Sequence, residues 1–264
     1  SFTRGAGGGL AERLAAPPGN LVPLPDHLPD ETAVLTDSLA SALQPVLDNF
    51  PPPEATVVIY GAGIIGQHVV RSLRTLGSRA RLLAVARYPF QARLAAAGGA
   101  DLVLLAPSRG ELAEALGARL LPTTLGGGTL EGGADYFFDC VGSTTSFQTG
   151  LLALKARGTY VLVGAAGKLG RVDVSSLWFR ELRLTGSAMY AQGRLGARQV
   201  ATYALAVELL AGGRYPTQGL LTHTFPLRRY RQAFRIALDK RRHHSLKVAV
   251  DLRHPGGLTP RPAP

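Results

Sequence analysis

The sequence predicts an α/β protein with a doubly wound parallel sheet. From Thr56 onward, short β-branched runs alternate with longer segments of helical periodicity, which is typical of βαβ units. The chain has 264 residues, 46% of them hydrophobic, so it can supply a buried core. A glycine-rich turn joins the first predicted strand to the first predicted helix and is the third indication of this fold class.

Six strands are expected in the sheet, at Thr56–Tyr60, Arg81–Ala86, Leu102–Leu105, Tyr136–Cys140, Thr159–Val163 and Arg183–Thr185. Four helices are expected between them, each ending near a glycine, at Ile64–Leu76, Gln91–Ala97, Arg109–Leu116 and Thr145–Ala156. The glycine-rich stretch Leu121–Gly133 is expected to form a surface loop. Beyond the sixth strand we expect a helix over Gly196–Ala211, an extended segment Leu220–Phe225, a helix Leu227–Lys240 and a strand Lys247–Asp251.

Charge, hydropathy and cysteine content argue against several kinds of partner and cross-link. The net charge is +11, but the arginines that supply most of it are spread along the whole chain, so we expect no nucleic-acid partner. No apolar run reaches about 18 residues and no signal-peptide pattern is visible, which predicts no membrane partner and a cytoplasmic location. Cys140 is the only cysteine, so neither an intrachain disulfide nor a cysteine cluster for structural zinc is expected.

A G-x-G-x-x-G motif follows the first predicted strand and opens the first predicted helix. The first glycine permits a tight turn, the second leaves room for a pyrophosphate, and the third lets the helix pack close to the strand. The helix N-terminus then faces the phosphates with its free N–H groups. This context predicts a dinucleotide-binding Rossmann domain. The candidate pyrophosphate-binding residues are Gly61, Ala62, Gly63, Ile64, Ile65 and Gly66.

The end of the second strand should select between the two nicotinamide cofactors. An acidic residue at this place would bind the 2′-hydroxyl of NAD(H), whereas this chain has Ala86 and Arg87. Ala86 leaves space and the Arg87 guanidinium can pair with a 2′-phosphate, which predicts NADP(H) in preference to NAD(H). The alternative is that Arg87 is one more surface arginine and that cofactor selectivity is relaxed.

Several further segments carry a family resemblance. They are Asp139–Ser143 (DCVGS), Val161–Gly164 (VLVG), Leu177–Leu182 (LWFREL) with Gly186–Ser187 after it, Asn20–Asp26 and His223–Leu227. Together they resemble medium-chain dehydrogenases of the zinc-dependent alcohol and polyol dehydrogenase type, over a span from about Gly8 to Asp251.

The resemblance implies a Rossmann domain inserted into a GroES-like catalytic β domain. On this basis residues 1–38 are expected to be a remnant of the N-terminal catalytic domain, 39–188 the Rossmann domain and 189–264 the return to the catalytic domain. The stretch that carries the zinc-binding Cys and His residues in relatives has no counterpart here. We therefore expect a truncated chain that lacks its zinc ligands, with remnants of the GroES-like domain at both ends.

The resemblance also implies further cofactor-binding residues. Val141 and Gly142 match the turn over the cofactor ribose, Val163 and Gly164 match the strand end under the nicotinamide, and Ser187 and Met189 match the backbone that holds the carboxamide. Lys247 matches a basic residue near the pyrophosphate, although a solvated strand lysine is an equal alternative. Asp37 matches a carboxylate at the catalytic zinc, a role that requires the missing ligands. The safer reading of Asp37 is a helix-N-terminal residue.

The expected function is that of an NADP(H)-dependent oxidoreductase which transfers hydride between nicotinamide and a small alcohol or carbonyl substrate. Zinc is expected only in the intact enzyme, and no catalytic residue is assigned. Two alternatives stay open: a zinc-free quinone or enoyl reductase, and a non-catalytic nucleotide-binding protein. A homodimer or homotetramer is expected, because the apolar Trp178–Phe179 segment precedes the last strand of the sheet, which lies at its edge.

Overall fold

The structure, a computed structural model, describes residues 9–11, 15–122, 129–165, 167–187 and 189–253. Its strands are β1 Thr56–Tyr60, β2 Arg81–Ala86, β3 Leu102–Leu105, β4 Arg119–Leu121, β5 Thr129–Glu131, β6 Ala134–Asp139, β7 Leu154–Leu162, β8 Arg183–Gly186, β9 Gln192–Leu195, β10 Arg198–Ala201, β11 Leu221–Pro226 and β12 Lys247–Asp251. Its α-helices are α1 Asp30–Ala33, α2 Thr36–Asp48, α3 Ile64–Thr75, α4 Pro89–Ala97, α5 Arg109–Ala115, α6 Thr144–Ala153, α7 Ser175–Phe179, α8 Thr202–Ala211, α9 Tyr230–Leu238 and α10 Lys240–His243.

Two compact units divide the chain. The larger unit is Asp37–Pro216, and the smaller unit combines Ser1–Thr36 with Thr217–Pro264. The assignment of 1–38 and 189–264 to a catalytic domain stays a prediction. Among the described residues, no helix combines the length and apolar character that a bilayer crossing requires.

A six-stranded sheet forms the centre of the larger unit, in the order β3-β2-β1-β6-β7-β8 with every pair parallel. The chain runs outward from β1 through β2 to β3 and then returns to the other side of β1 as β6. The strand order therefore reverses between β1 and β6, which is the place where ligands bind in open α/β sheets. The predicted doubly wound parallel sheet of six strands is confirmed.

Both faces of this sheet are covered because its strands are apolar on both sides. Val57 and Ile59 of β1 pack on the face that carries α3 and α4, while Val58 between them packs on the face that carries α5 and α6. This alternation follows from the two-residue period of a strand. A parallel sheet buried on both faces is the expected result.

Several sequence-based expectations outside the sheet are wrong. The predicted helix over Gly196–Ala211 begins only at Thr202, because Gln192–Leu195 and Arg198–Ala201 pair as an antiparallel hairpin. The predicted loop Leu121–Gly133 contains β5, which pairs with β4, while its glycines at 126–128 lie outside the described residues. The predicted helix Leu227–Lys240 is divided into a 3-10 turn, α9 and the start of α10.

Candidate functional site

The turn between β1 and α3 has the geometry that its three glycines predict. Gly61 has a φ of +98°, a left-handed conformation that favours glycine, and its N–H donates to the carbonyl of Val85 at 2.9 Å. A Cβ at Gly66 would overlap the carbonyl oxygen of Gly61, so the helix meets the turn at close range. A Cβ at Gly63 would meet nothing within 4 Å. The space in front of Gly63 is therefore open.

The N-terminus of α3 faces this open space without a side-chain cap. Gly63 is the N-cap residue, no side chain accepts a hydrogen bond from the first turn, and no acidic residue lies in that turn. The first N–H groups of a helix have no acceptor within the helix, and the helix dipole places partial positive charge on them. The arrangement suits an anionic group such as a pyrophosphate.

The two residues at the end of β2 differ in burial. Ala86 is buried and ends the strand, and Arg87, the next residue, is exposed. The Arg87 guanidinium carbon lies 5.5 Å from the centre of the Tyr88 ring, which gives the side chain a stacking partner on its own loop. No acidic residue occupies either position.

The turn after β6 is built on a buried carboxylate, Asp139. Its Oδ1 accepts from the N–H groups of Val141 and Gly142 at 2.9 and 3.0 Å. Its Oδ2 accepts from the Ser146 and Tyr160 hydroxyls at 2.8 and 2.5 Å. Burial, followed by the hydrogen bond to Asp139, raises the pKa of Tyr160, so its phenol stays protonated and keeps donating. Asp139 thus holds the backbone of the predicted ribose-binding turn.

Asp139 was not among the site residues that the sequence analysis proposed. The available signal was an acidic residue at the end of an apolar strand, a position that requires partners when buried. Its neighbour Cys140 is partly exposed, but desolvation, followed by the charge of Asp139, raises the pKa of the thiol, so the thiolate is disfavoured.

Three loops meet at the carboxyl edge of the sheet. A Cβ at Gly61 would lie 2.5 Å from Val141 Cγ2, so the turns after β1 and β6 are in contact. A Cβ at Gly164 would lie 2.5 Å from the amide nitrogen of Gly142, and the Val163 and Gly164 N–H groups donate to the Asp139 carbonyl at 3.0 and 2.7 Å. The structure thus brings three predicted cofactor segments together: the glycine turn Gly61–Gly66, Val141–Gly142 and Val163–Gly164.

Ser187 and Met189 continue the site beyond β8. The Ser187 N–H donates to the Leu162 carbonyl at 3.0 Å, which keeps this segment beside the end of β7. The Ser187 hydroxyl oxygen is buried and has no hydrogen-bond partner in the described part of the chain. A ligand that hydrogen-bonds to this hydroxyl would satisfy it. Met189 is half-exposed with a φ of +58°.

Lys247 and Asp37 belong to elements other than the six-stranded sheet. Lys247 is on β12 in the smaller unit, and its role at the pyrophosphate stays a prediction. Asp37 is exposed in the first turn of α2, which agrees with its interpretation as a helix-N-terminal residue.

Across the described ranges, no group of three or more His, Cys, Asp or Glu side chains could hold a metal ion. The described residues therefore do not fit a zinc centre.

A cavity of about 470 Å³ opens beside Tyr60, the residue directly before Gly61. Its walls include Pro107 and Leu112 together with the hydroxyl-bearing Ser108 and Thr144. This volume and mixture of apolar and polar walls lie within the range of small-molecule sites. The sequence analysis did not identify it, because its walls come from three separate loops and helices.

Comparison with known proteins agrees with this geometry. The family described as "Zinc-binding dehydrogenase" matches residues 65–211. A probable D-xylulose reductase A of Aspergillus terreus is 28% identical over 232 residues, which are 86% of this chain and 60% of the relative. An L-idonate 5-dehydrogenase of Vitis vinifera is 27% identical over 83% of this chain and 55% of its own length.

A solved structure shows the same fold. The L-idonate 5-dehydrogenase of Escherichia coli is 25% identical, with a TM-score of 0.68 over 87% of this chain and 60% of that protein. The chain therefore spans about 60% of the length of such relatives. The family match covers more than half of the chain and includes α3, the strands of the sheet from β2 to β8, and α8. The chain belongs to the zinc-binding dehydrogenases, a family of medium-chain alcohol and polyol dehydrogenases.

Proposed function

We propose that this chain binds NADP(H) in preference to NAD(H) and serves hydride transfer between nicotinamide and a small alcohol or carbonyl substrate. The relatives named above are a xylulose reductase and two idonate dehydrogenases, which favours a polyhydroxylated substrate. The nicotinamide, when bound, supplies the hydride carrier, and the protein supplies binding and orientation.

Each part of the site has a distinct task in this proposal. The N-terminus of α3 holds the pyrophosphate across the open space at Gly63. The cavity beside Tyr60 accepts the adenosine half. Val141 and Gly142 cover the ribose, and the residues at the other end of the site orient the nicotinamide: Val163, Gly164, Ser187 and Met189.

The observation that carries the cofactor preference is the pair Ala86 and Arg87. A 2′-phosphate carries negative charge, and the exposed guanidinium of Arg87 can reach it with charge-assisted hydrogen bonds. NAD(H) has only a hydroxyl at this place and gains no such bond. One charge-assisted hydrogen bond contributes about 1.5–3 kcal/mol, or roughly tenfold to a hundredfold in affinity.

The test is fluorescence titration of the protein with NADPH and NADH, for wild type and Arg87→Ala. Wild type is expected to bind NADPH more tightly, and Arg87→Ala is expected to weaken NADPH by roughly tenfold or more while leaving NADH unchanged. Arg93→Ala is the matched control, since Arg93 is an exposed arginine on the neighbouring helix α4. Equal affinities for the two cofactors in wild type would remove the NADP(H) assignment.

A further inference from the structure

Gln67 and Arg71 form a buried polar cluster directly behind the cofactor turn. They lie one helical turn apart on α3, and their side chains are 0% and 2% exposed. Burial lowers the pKa of the Arg71 guanidinium, and its hydrogen-bond partners within the described residues are Gln67 and the Leu94 carbonyl rather than a carboxylate. A buried cation without a counter-charge is costly, so its presence needs a reason.

The hydrogen bonds of the cluster lead to both cofactor loops. The Gln67 side-chain amide nitrogen donates to the carbonyl of Ala62 at 3.2 Å and to the carbonyl of Gln91 at 2.9 Å. Ala62 lies inside the G-x-G-x-x-G turn. Gln91 lies in the first turn of α4, directly after the loop that carries Arg87. A single amide group therefore joins the pyrophosphate turn to the 2′-phosphate loop.

Arg71 determines which way this amide points. Arg71 Nη1 donates to Gln67 Oε1 at 2.5 Å, and Arg71 Nη2 donates to the carbonyl of Leu94 at 3.1 Å. A guanidinium has only donors, so it can face only the oxygen end of the amide. The nitrogen end must then face the two loop carbonyls, which need a donor. Reversing the amide would set donor against donor and acceptor against acceptor.

We propose that Gln67 is a positioning residue for the dinucleotide, oriented by Arg71, and that it keeps the pyrophosphate turn and the 2′-phosphate loop at their binding distance. The proposal rests on the proposed function, because it assigns these loops to NADP(H). Gln67 does not contact the cofactor in this arrangement; it acts through Ala62 and Gln91.

The Gln67→Glu variant distinguishes an effect of Gln67 on cofactor binding from an effect on protein stability. The new carboxylate has nearly the same shape and can pair with Arg71, which offsets its repulsion from the Ala62 and Gln91 carbonyls, so the protein is expected to stay folded at a lower or equal unfolding midpoint. The carboxylate cannot donate to the Ala62 and Gln91 carbonyls, so the dissociation constants of both NADPH and NADH are expected to rise about tenfold or more. A purely structural role predicts unchanged dissociation constants in this folded variant.

Arg71→Met is the second variant, for the case that Gln67→Glu fails to fold. It removes the donor that orients the amide, so both cofactors are again expected to bind more weakly. Arg74→Gln is the matched control. Arg74 lies on the same helix but bonds the carbonyls of Gly99, Ser78 and Ala80, so its loss is expected to lower the unfolding midpoint without changing cofactor affinity.

The outcomes separate the two proposals. Wild type that binds neither NADPH nor NADH would overturn the proposed function. Wild type that binds, together with folded Gln67→Glu and Arg71→Met proteins of unchanged affinity, would overturn the positioning role alone. Weaker binding of both cofactors by a stable Gln67→Glu protein would support it.

Discussion

Gly63 and Gly66 belong to the same turn, but the fold requires glycine at only one of these positions. Gly63 has an ordinary φ of −72° and open space where a Cβ would point, so the fold itself does not require glycine there. Gly66 is buried against the carbonyl of Gly61, so the fold does require it. The proposed pyrophosphate site accounts for the absence of a side chain at Gly63.

Replacing these glycines should therefore have different results. Gly63→Val is expected to weaken NADPH and NADH by about tenfold or more, because its side chain fills the pyrophosphate space, while stability falls by about 1 kcal/mol because valine is a poorer N-cap than glycine. Gly66→Ala is expected to destabilise the protein by about 1–3 kcal/mol through overpacking. Thermal unfolding and cofactor titration on the same samples measure both effects. Undiminished cofactor binding by Gly63→Val would contradict the placement of the pyrophosphate.

Individual residues also show which parts of the site could not be predicted from the sequence. The glycine turn could be predicted because each glycine acts through its own residue type and its distance from a strand. Asp139 could not, since its role depends on Ser146 and Tyr160, which the fold brings to it. Gln67 and Arg71 likewise stand in a helix that the motif already explained, and their partners lie in other elements.

Among the elements, β8 and α7 form an exposed apolar edge of the sheet. β8 is the last strand in the sheet order, so one of its sides has no partner strand in the described structure. Trp178 and Phe179 on α7 are 73% and 71% exposed, and Leu184 on β8 is also exposed. Exposed apolar edges of this kind favour pairing with a second copy.

We expect the protein to form a dimer through this edge at micromolar concentration. Phe179→Lys is expected to shift the species toward monomer in sedimentation velocity, because a charge in an apolar interface opposes association. Leu105→Lys is the control, since Leu105 is an exposed leucine on β3, the opposite edge of the same sheet. A wild-type monomer at these concentrations, or dissociation by Leu105→Lys alone, would count against the β8 interface.

Element prediction succeeded where the pattern is local. β1, β2 and β3 have the predicted bounds because each is a short apolar run between polar residues or glycines. The β9–β10 hairpin was missed because its residues are mostly polar and read as a helix start. Gly196, with a φ of +60°, makes the turn, and the Gln44 side chain on α2 accepts from the Ala191 N–H at 2.8 Å. That support comes from a helix far away in sequence.

On the scale of the whole molecule, the two units differ in how their sheets are buried. The larger unit buries β1, β2, β6 and β7 between two layers of helices. The smaller unit has a two-stranded sheet of β11 and β12, and none of the β12 residues is fully buried. A two-stranded sheet is marginally stable without further packing. On α9 the side chains of Tyr230, Phe234 and Leu238 are exposed.

Hydrogen exchange should reveal this difference. Amides of Thr56–Thr185, within the larger unit, are expected to exchange slowly in its central strands. Amides of Leu10–Leu35 and Leu220–Asp251 are expected to exchange faster, because fewer of the apolar side chains that the structure describes in these segments are buried. Mass spectrometry of peptides from both units measures the rates in one experiment. Equal protection in the two units would show that the smaller unit has the stability of a well-packed domain.

The smaller unit is assembled from both ends of the described chain. Arg253, just after β12, forms ion pairs with Asp30 and Glu31 of α1 at 3.0 and 2.8 Å. During synthesis on the ribosome, α1 emerges long before Arg253 and must wait for it, whereas the larger unit is continuous in sequence and can complete its sheet first. Vectorial translation therefore favours a folding order in which the larger unit precedes the smaller unit, whose two segments flank it in the sequence.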